Sequence, residues 1–354
     1  MATTDLPSAP IADWPQLLGR LADGGDLSRA EAHAAMTDIL AGLATPARIA
    51  GLIVALRLKG ETPEELTGMV DAMFEAAEPL TAPPGAIDIV GTGGSPHRRQ
   101  HALNVSTMAC IVAASAGAVV CKHGNRRASS TSGSFDFLEA VGLHAELGPE
   151  ALARCLAATG VGFAFARIYH PAMRHAAPVR AELGIPTVFN LLGPLANPGR
   201  VRRYLLGTST PELAELIAGV LANLGAERSW VVAGSGGIDE LTITGPSTVY
   251  EVTPDGVRRF ELSPADAGLP TASSLESVAG GSPADNATVF QALLEGGLTG
   301  PKRDIVLLNA GAGLLVAGTV ATLIEGVEAA AAAVDDGRAR AKLAELVKVT
   351  SELG

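Results

Sequence analysis

The segment Lys122-His123-Gly124-Asn125-Arg126-Arg127-Ala128-Ser129-Ser130-Thr131-Ser132-Gly133-Ser134 concentrates cations, hydroxyls and glycines directly after an apolar run. Cations neutralise phosphate charge, hydroxyls and backbone N–H groups orient its oxygens, and glycine lets the main chain come close. A second glycine-rich turn, Gly91-Thr92-Gly93-Gly94, also follows a β-type run, and its N–H groups beside a helix start suit phosphate as well. On its own, such a turn reads equally as a tight connection. It is not a dinucleotide fingerprint, because Pro96 occupies the third glycine's place, and no Gly-Lys-Ser/Thr follows to make a Walker A loop. A third cluster is Tyr169-His170-Pro171-Ala172-Met173-Arg174-His175 with Pro178-Val179-Arg180. There His170, His175 and Arg180 could hold a carboxylate while Tyr169 and Met173 pack on a ring; a basic helix face is the alternative. Fourth, Gly237-Ile238-Asp239-Glu240 offers adjacent carboxylates of the kind that hold Mg²⁺ against substrate phosphates, although such pairs are common on surfaces.

Charge is concentrated around these motifs. The 354-residue chain carries a formal net charge of −11, yet residues 91–180 are at +5. A basic island in an acidic chain points to a focused site for an anionic ligand and against a protein coated in nucleic acid. The 47% apolar and 18% charged composition excludes a disordered chain. Cys110, Cys121 and Cys155 are odd in number and have no CxxC spacing, which disfavours a disulfide framework or a structural zinc site and fits buried core thiols. No basic, then apolar, leader is visible at Met1–Pro10 and no long strongly apolar run occurs, so the expectation is a cytoplasmic protein with no membrane partner.

The elements that must position these residues are legible from local signals. Ser28 to Glu31 has capping-box spacing, with Met36, Ile39, Leu40 and Leu43 following at helical intervals. Thr62-Pro63-Glu64-Glu65 opens another helix, with Met69, Val70 and Met73 on its apolar face. Thr81-Ala82-Pro83-Pro84-Gly85 then punctuates the chain. Beyond it, strands are predicted at Ile87–Val90, Ala118–Cys121, Gly162–Ala166, Leu205–Gly207, Trp230–Ala233 and Ile305–Leu308, with helices between them, including one over about 106–116. That alternation predicts an α/β fold with a largely parallel sheet covered by helices, and ligands beyond the strands' carboxyl ends. Residues 245–262 read as a hairpin and 317–347 as closing helices.

Taken together and in this order, the motifs resemble the anthranilate phosphoribosyltransferases of tryptophan biosynthesis. The resemblance covers nearly the whole chain. It includes the helical start, Asp88–Gly94, Asn104-Val105-Ser106-Thr107, Lys122 to Ser134, and Gly162 through Pro198, with Asp239-Glu240, Asn286 and Leu308-Asn309-Ala310 fitting too. It implies a small N-terminal α-helical domain, residues 1–82, with a helical segment near 170–195 packing on it. It also implies a larger α/β domain, residues 83–354, of the nucleoside phosphorylase and phosphoribosyltransferase type, and a homodimer through the helical part. The implied activity moves the 5-phosphoribosyl group of phosphoribosyl pyrophosphate (PRPP) to the amine of anthranilate, releasing pyrophosphate, with Mg²⁺ as cofactor.

Carried over by motif, PRPP would lie against Gly91, Gly94, Ser95, Asn104, Val105, Ser106, Thr107, Lys122, His123, Gly124, Asn125, Arg126, Ser129, Ser130 and Ser134. Anthranilate would meet Gly91, His123, Asn125, His170, Arg180 and Pro194, and Mg²⁺ would meet Ser106, Asp239 and Glu240. The acceptor amine is already a nucleophile, so no residue is assigned as acid or base. The chain departs from the family in its glycine loop. Ser95 stands where the family has Asp, Leu103 precedes Asn104, about three residues are inserted, and His97, Arg98, Arg99 and His101 add positive charge. Ala233-Gly234-Ser235-Gly236-Gly237 also lacks the family's usual His and Asp. The resulting expectation is that Arg98 or Arg99 partly replaces a metal contact. Two alternatives stay open: a related transferase with a different aromatic acceptor, and a non-catalytic relative that binds nucleic acid. The second should have lost the Lys122–Arg126 and Asp239-Glu240 motifs, and this chain keeps both.

Overall fold

Local capping signals start the N-terminal helices where the sequence places them. Ser28 Oγ accepts the Glu31 N–H while the Glu31 carboxylate accepts the Ser28 N–H, opening α2 (Arg29–Leu40). Thr62 and Glu65 repeat this for α4 (Pro63–Glu75), with Pro63 at the first helical position. With α1 (Trp14–Ala22) and α3 (Pro46–Lys59) these helices form a bundle. Helices α2 and α4 come close because Gly68 has no side chain; a Cβ there would run into the Arg29 carbonyl. The computed structural model describes residues 7–93, 103–126 and 131–354.

After the bundle the chain builds one sheet from β1 (Ile87–Gly91), β2 (Val120–Gly124), β3 (Val161–Phe165), β4 (Arg203–Thr208), β5 (Arg228–Gly234), β6 (Ser247–Thr253) and β7 (Gly256–Leu262). Its order is β3-β2-β1-β4-β5-β6-β7. The first five strands are parallel and the last two are antiparallel, which gives the expected hairpin. The connecting helices are α5 (Val105–Ser115), α6 (Ser134–Ala140), α7 (Pro149–Thr159), α8 (Ala166–Tyr169), α9 (Ala177–Leu183), α10 (Phe189–Leu195) and α11 (Pro211–Asn223). A 3-10 turn, Pro171–His175, joins α8 to α9. The chain closes with α12 (Pro283–Leu294), α13 (Pro301–Ala317), α14 (Leu323–Asp335) and α15 (Arg338–Leu353).

Alternation along β1 divides its neighbours between the two sheet faces. Ile87 and Ile89 meet α13, where a Cβ on Gly313 would come within 2.6 Å of Ile89 Cδ1. Asp88 points the other way, toward the turn that follows α10. That second layer also leans on the bundle: α9 packs on α3, the 3-10 turn on α2, and α10 and α11 on α4. The chain reverses its direction of winding between β1 and β4, the neighbours from which strands are added to either side. Ligand clefts form beyond the carboxyl ends of strands at such a point.

One strand expectation is overturned. Ile305–Leu308 lies inside α13, whose residues Ile305 to Val316 are all buried. A helix apolar on every side presents no stripe, so its short apolar runs read like a buried strand. No described helix is long and apolar enough to cross a membrane.

Candidate active site

The carboxyl ends of β1 and β4 meet at Gly91 and Gly207, which face each other in register. The loop after β5 lies directly on this glycine pair. A Cβ on Gly91 would sit 2.7 Å from Asp239 Oδ2, and one on Gly207 would collide with the Asp239 carbonyl. Only bare backbone lets the loop settle here. Asp239 Oδ2 accepts the Gly93 N–H at 2.8 Å, and Glu240 Oε1 accepts the Ser106 N–H at 3.3 Å. Asn309, from α13, holds the next residue from both sides: its Nδ2 donates to the Leu241 carbonyl at 2.9 Å and its Oδ1 accepts the Leu241 N–H at 3.2 Å. The two carboxylates therefore stand beside the glycine turn and the N-terminus of α5, where Val105, Ser106 and Thr107 lie.

Strands β1 and β2 part as they approach this end. They pair in register only at Ile87 opposite Val120. Beyond that point side chains bridge the gap. The Lys122 ammonium donates to the Ile89 carbonyl and to Ser106 Oγ at 3.4 Å, and Asp88 Oδ2 accepts the His123 N–H at 3.1 Å. Lys122 is 2% exposed. A buried ammonium beside the Asp239-Glu240 loop and an α-helix N-terminus is a setting for a polyanion.

On the other side of His123 lies a cavity of about 670 Å³, lined among others by Met73, Asn125, Arg167, His170, Met173, Arg174, Arg180, Phe189 and Gly193. Arg180 stacks its guanidinium over the Phe189 ring at 5.2 Å, and among the described residues no carboxylate pairs with it. His123 Nδ1 donates to the Gly193 carbonyl at 2.9 Å, so the ring's proton sits there and Nε2 is the bare nitrogen. Burial, and then the neighbouring His170 ring 5.2 Å away, lower the pKa of His123 to about 3. His170 Nε2 donates to the Ala196 carbonyl at 2.8 Å, and burial lowers its pKa too. The cavity thus joins the Arg180 guanidinium, with Arg167 and Arg174 also on its lining, to two neutral imidazoles and apolar walls, a receptor for a flat aromatic acid.

The remaining expected residues fall in different places. Asn104 and Ser134 hold the loop between them: Asn104 Nδ2 reaches the Ser132 and Gly133 carbonyls, its Oδ1 accepts from Ser132 Oγ and Asn286 Nδ2, and Ser134 Oγ donates to the Asn125 carbonyl. Gly124 ends β2 close against Ser134. Arg126 turns outward to Glu139 and Glu146 and lies over the Phe165 ring at 5.6 Å. Pro194 is buried within α10, and its neighbour Gly193 forms the cavity wall. Two of the side chains given a role in the third cluster do not join the cavity. Tyr169 is buried with its hydroxyl on the Leu147 carbonyl, and the His175 ring packs on Gly42 in the bundle. Gly94, Ser95, Ser129 and Ser130, and the arginines expected to replace a metal contact, Arg98 and Arg99, lie outside the described residues. Among the described residues no three His, Cys, Asp or Glu side chains gather into a metal cluster. The motifs gave no role to Asp88, Asn197 or Phe189; the one local hint was a carboxylate inside the apolar run Ile87–Val90.

Comparisons with known proteins agree with this geometry. A model described as "Glycosyl transferase family, a/b domain" matches residues 83–340, and one described as "Glycosyl transferase family, helical bundle domain" matches residues 15–77. The anthranilate phosphoribosyltransferase of Parvibaculum lavamentivorans is 48% identical over 341 residues, which cover 96% of this chain and 98% of that protein. The crystal structure of anthranilate phosphoribosyltransferase from Thermus thermophilus superposes with a TM-score of 0.88 at 45% identity, covering 94% of this chain and 99% of that one. The Saccharomyces cerevisiae enzyme in complex with PRPP and Mg superposes with a TM-score of 0.86 at 27% identity, covering 96% and 98%. Motifs, fold and near-complete coverage coincide, and the chain belongs to the anthranilate phosphoribosyltransferase family of glycosyl-transferring enzymes.

Proposed function

We propose that this chain moves the 5-phosphoribosyl group of PRPP to the amine of anthranilate, giving N-(5-phosphoribosyl)anthranilate and pyrophosphate in tryptophan biosynthesis. The observation that carries this reading is Arg180, stacked on Phe189 in the 670 Å³ cavity and, among the described residues, lacking a carboxylate partner, next to the strand end that presents Lys122 and Asn125. Anthranilate is an aromatic carboxylate, so its acid group is the natural partner of that guanidinium. The donor side has the complementary character. Gly91, the N-terminal turn of α5 with Val105, Ser106 and Thr107, and Lys122 offer close backbone approach, a helix N-terminus, the Ser106 hydroxyl and a cation to phosphates.

Asp239 and Glu240 supply hard carboxylate oxygens in a pair, with Ser106 alongside, a donor set that suits Mg²⁺ shared with a diphosphate. When bound there, Mg²⁺ would offset the charge that builds on the departing pyrophosphate. The yeast relative's complex with PRPP and Mg supports this reading. Lys122 acts on the same developing charge. On the acceptor side, Arg180 and the walls hold the ring while His123 presents an unprotonated Nε2, so the amine meets an acceptor and no added proton. The amine is already nucleophilic, and alignment of two bound substrates supplies the acceleration.

We also propose a homodimer through the helical part. Its support is Leu58, at the end of α3, which at 82% is the most exposed large apolar side chain among the described residues. The activity is tested by following loss of anthranilate fluorescence with PRPP and MgCl₂. Turnover is expected. Binding of PRPP without turnover would shift the reading to another aromatic acceptor.

A further inference from the structure

Asp88 is wholly buried near the start of β1 and does not itself line the cavity. Its Oδ2 nevertheless receives two hydrogen bonds, one from the main chain of a residue that lines the acceptor cavity and one from the turn after α10. One comes from the His123 backbone N–H at 3.1 Å, the other from Asn197 Nδ2 at 2.8 Å. Asn197 Nδ2 donates a second time, to the Cys121 carbonyl at 2.7 Å, and Asn197 Oδ1 accepts the Gly199 N–H at 2.9 Å. Asn197 follows α10, and the same stretch supplies the Gly193 carbonyl that fixes the His123 ring and the Ala196 carbonyl that fixes the His170 ring. The contacts close a loop. The carboxylate holds the His123 main chain and Asn197, the Asn197 stretch holds the His123 side chain, and His123 returns to the carboxylate.

This loop stands where the sheet's own ladder is missing, because β1 and β2 are in register only at Ile87 and Val120. Without Asp88 the His123 N–H would lose its partner, and the turn carrying Gly193 and Ala196 would lose its tether to the sheet. A buried N–H left unpaired is costly enough to force a rearrangement. Both imidazoles would then lose the orientation that puts His123 Nε2 at the cavity.

We propose that Asp88, acting through Asn197, is the positioning residue of the acceptor cavity, and that it governs anthranilate binding while leaving the donor side intact. This rests on the reading of the cavity as the anthranilate site. Its test compares Asp88→Ala, Asp88→Asn and Asn197→Ala in the full-length protein by steady-state kinetics with each substrate varied, together with melting temperature. Asp88→Asn keeps one oxygen able to accept both hydrogen bonds and serves as the conservative rescue. KM for anthranilate should rise roughly tenfold or more in Asp88→Ala and Asn197→Ala, stay within about threefold of wild type in Asp88→Asn, and leave KM for PRPP nearly unchanged in all three. If Asp88→Ala does not fold, the contrast between Asn197→Ala and Asp88→Asn decides. A parallel rise in both KM values, or lower melting temperatures with unchanged kinetics, would reduce Asp88 to a structural residue and overturn the proposal. Failure of the wild-type protein to use anthranilate, with PRPP still bound, would instead overturn the acceptor reading and this assignment with it.

Discussion

Arg180 and His123 show how far individual side chains are tuned by what surrounds them. The Arg180 guanidinium is stacked on Phe189 and, among the described residues, faces the cavity without an acid to neutralise it. Replacing it by alanine should cost about 2 kcal/mol of acceptor binding, a roughly thirtyfold rise in KM for anthranilate with KM for PRPP little changed. Arg180→Lys should fall between, because lysine keeps the charge and loses the planar fork. His123 makes a prediction about acid. Its pKa is about 3 when folded against an ordinary 6.5, so between those values only the unfolded chain holds the proton, and stability falls as pH drops through that window. Asp88 acts in the opposite sense: burial raises its pKa from 3.8 to about 6, so it favours the folded state as pH falls from 6 toward 3.8. His123→Asn keeps an N–H for the Gly193 carbonyl and removes the titration. In calorimetry its melting temperature should fall less steeply than that of wild type as pH is lowered from 6.5, and an unchanged slope would contradict a neutral, buried His123.

At the scale of elements, the legible features are the ones written into a few consecutive residues. The Ser28–Glu31 and Thr62–Glu65 capping boxes start α2 and α4, and the hairpin appears in the alternation of residues 245–262. The Lys122-His123 run and the 166–197 segment announce the site because their chemistry is contiguous. Helix α13 shows the limit, since a helix buried all round leaves no periodic face. The loop from Asp88 to Asn197 was invisible for another reason. Its partners are 109 positions apart and meet only after the sheet has formed. The same holds for the glycine seat under Asp239. Gly207 looks like an ordinary strand residue until the loop after β5 is laid over it. Gly207→Ala should displace that loop, raising the Mg²⁺ concentration needed for half-maximal rate and the KM for PRPP while sparing KM for anthranilate. A magnesium titration at saturating anthranilate would check this, and an unchanged titration would show that the loop yields without consequence.

The whole molecule divides its labour between its layers. The donor side rests on the sheet and on α5 and α13, while the cavity wall from Ala166 to Gly193 is carried by elements that lean on the helical bundle. If copies associate through that bundle, Leu58→Glu should convert the dimer to a monomer in light scattering, and a variant that stays dimeric would place the interface elsewhere. The same division has a consequence for redesign. Apart from Met73, His123 and Asn125, the residues lining the cavity belong to one uninterrupted stretch of chain. Acceptor choice is therefore close to a cassette. A graft of residues 166–197 from a relative with a different aromatic acceptor could carry a new preference into an unaltered phosphoribosyl donor site. The splice must keep an asparagine at its last position, because that is where Asn197 fastens the cassette to Asp88.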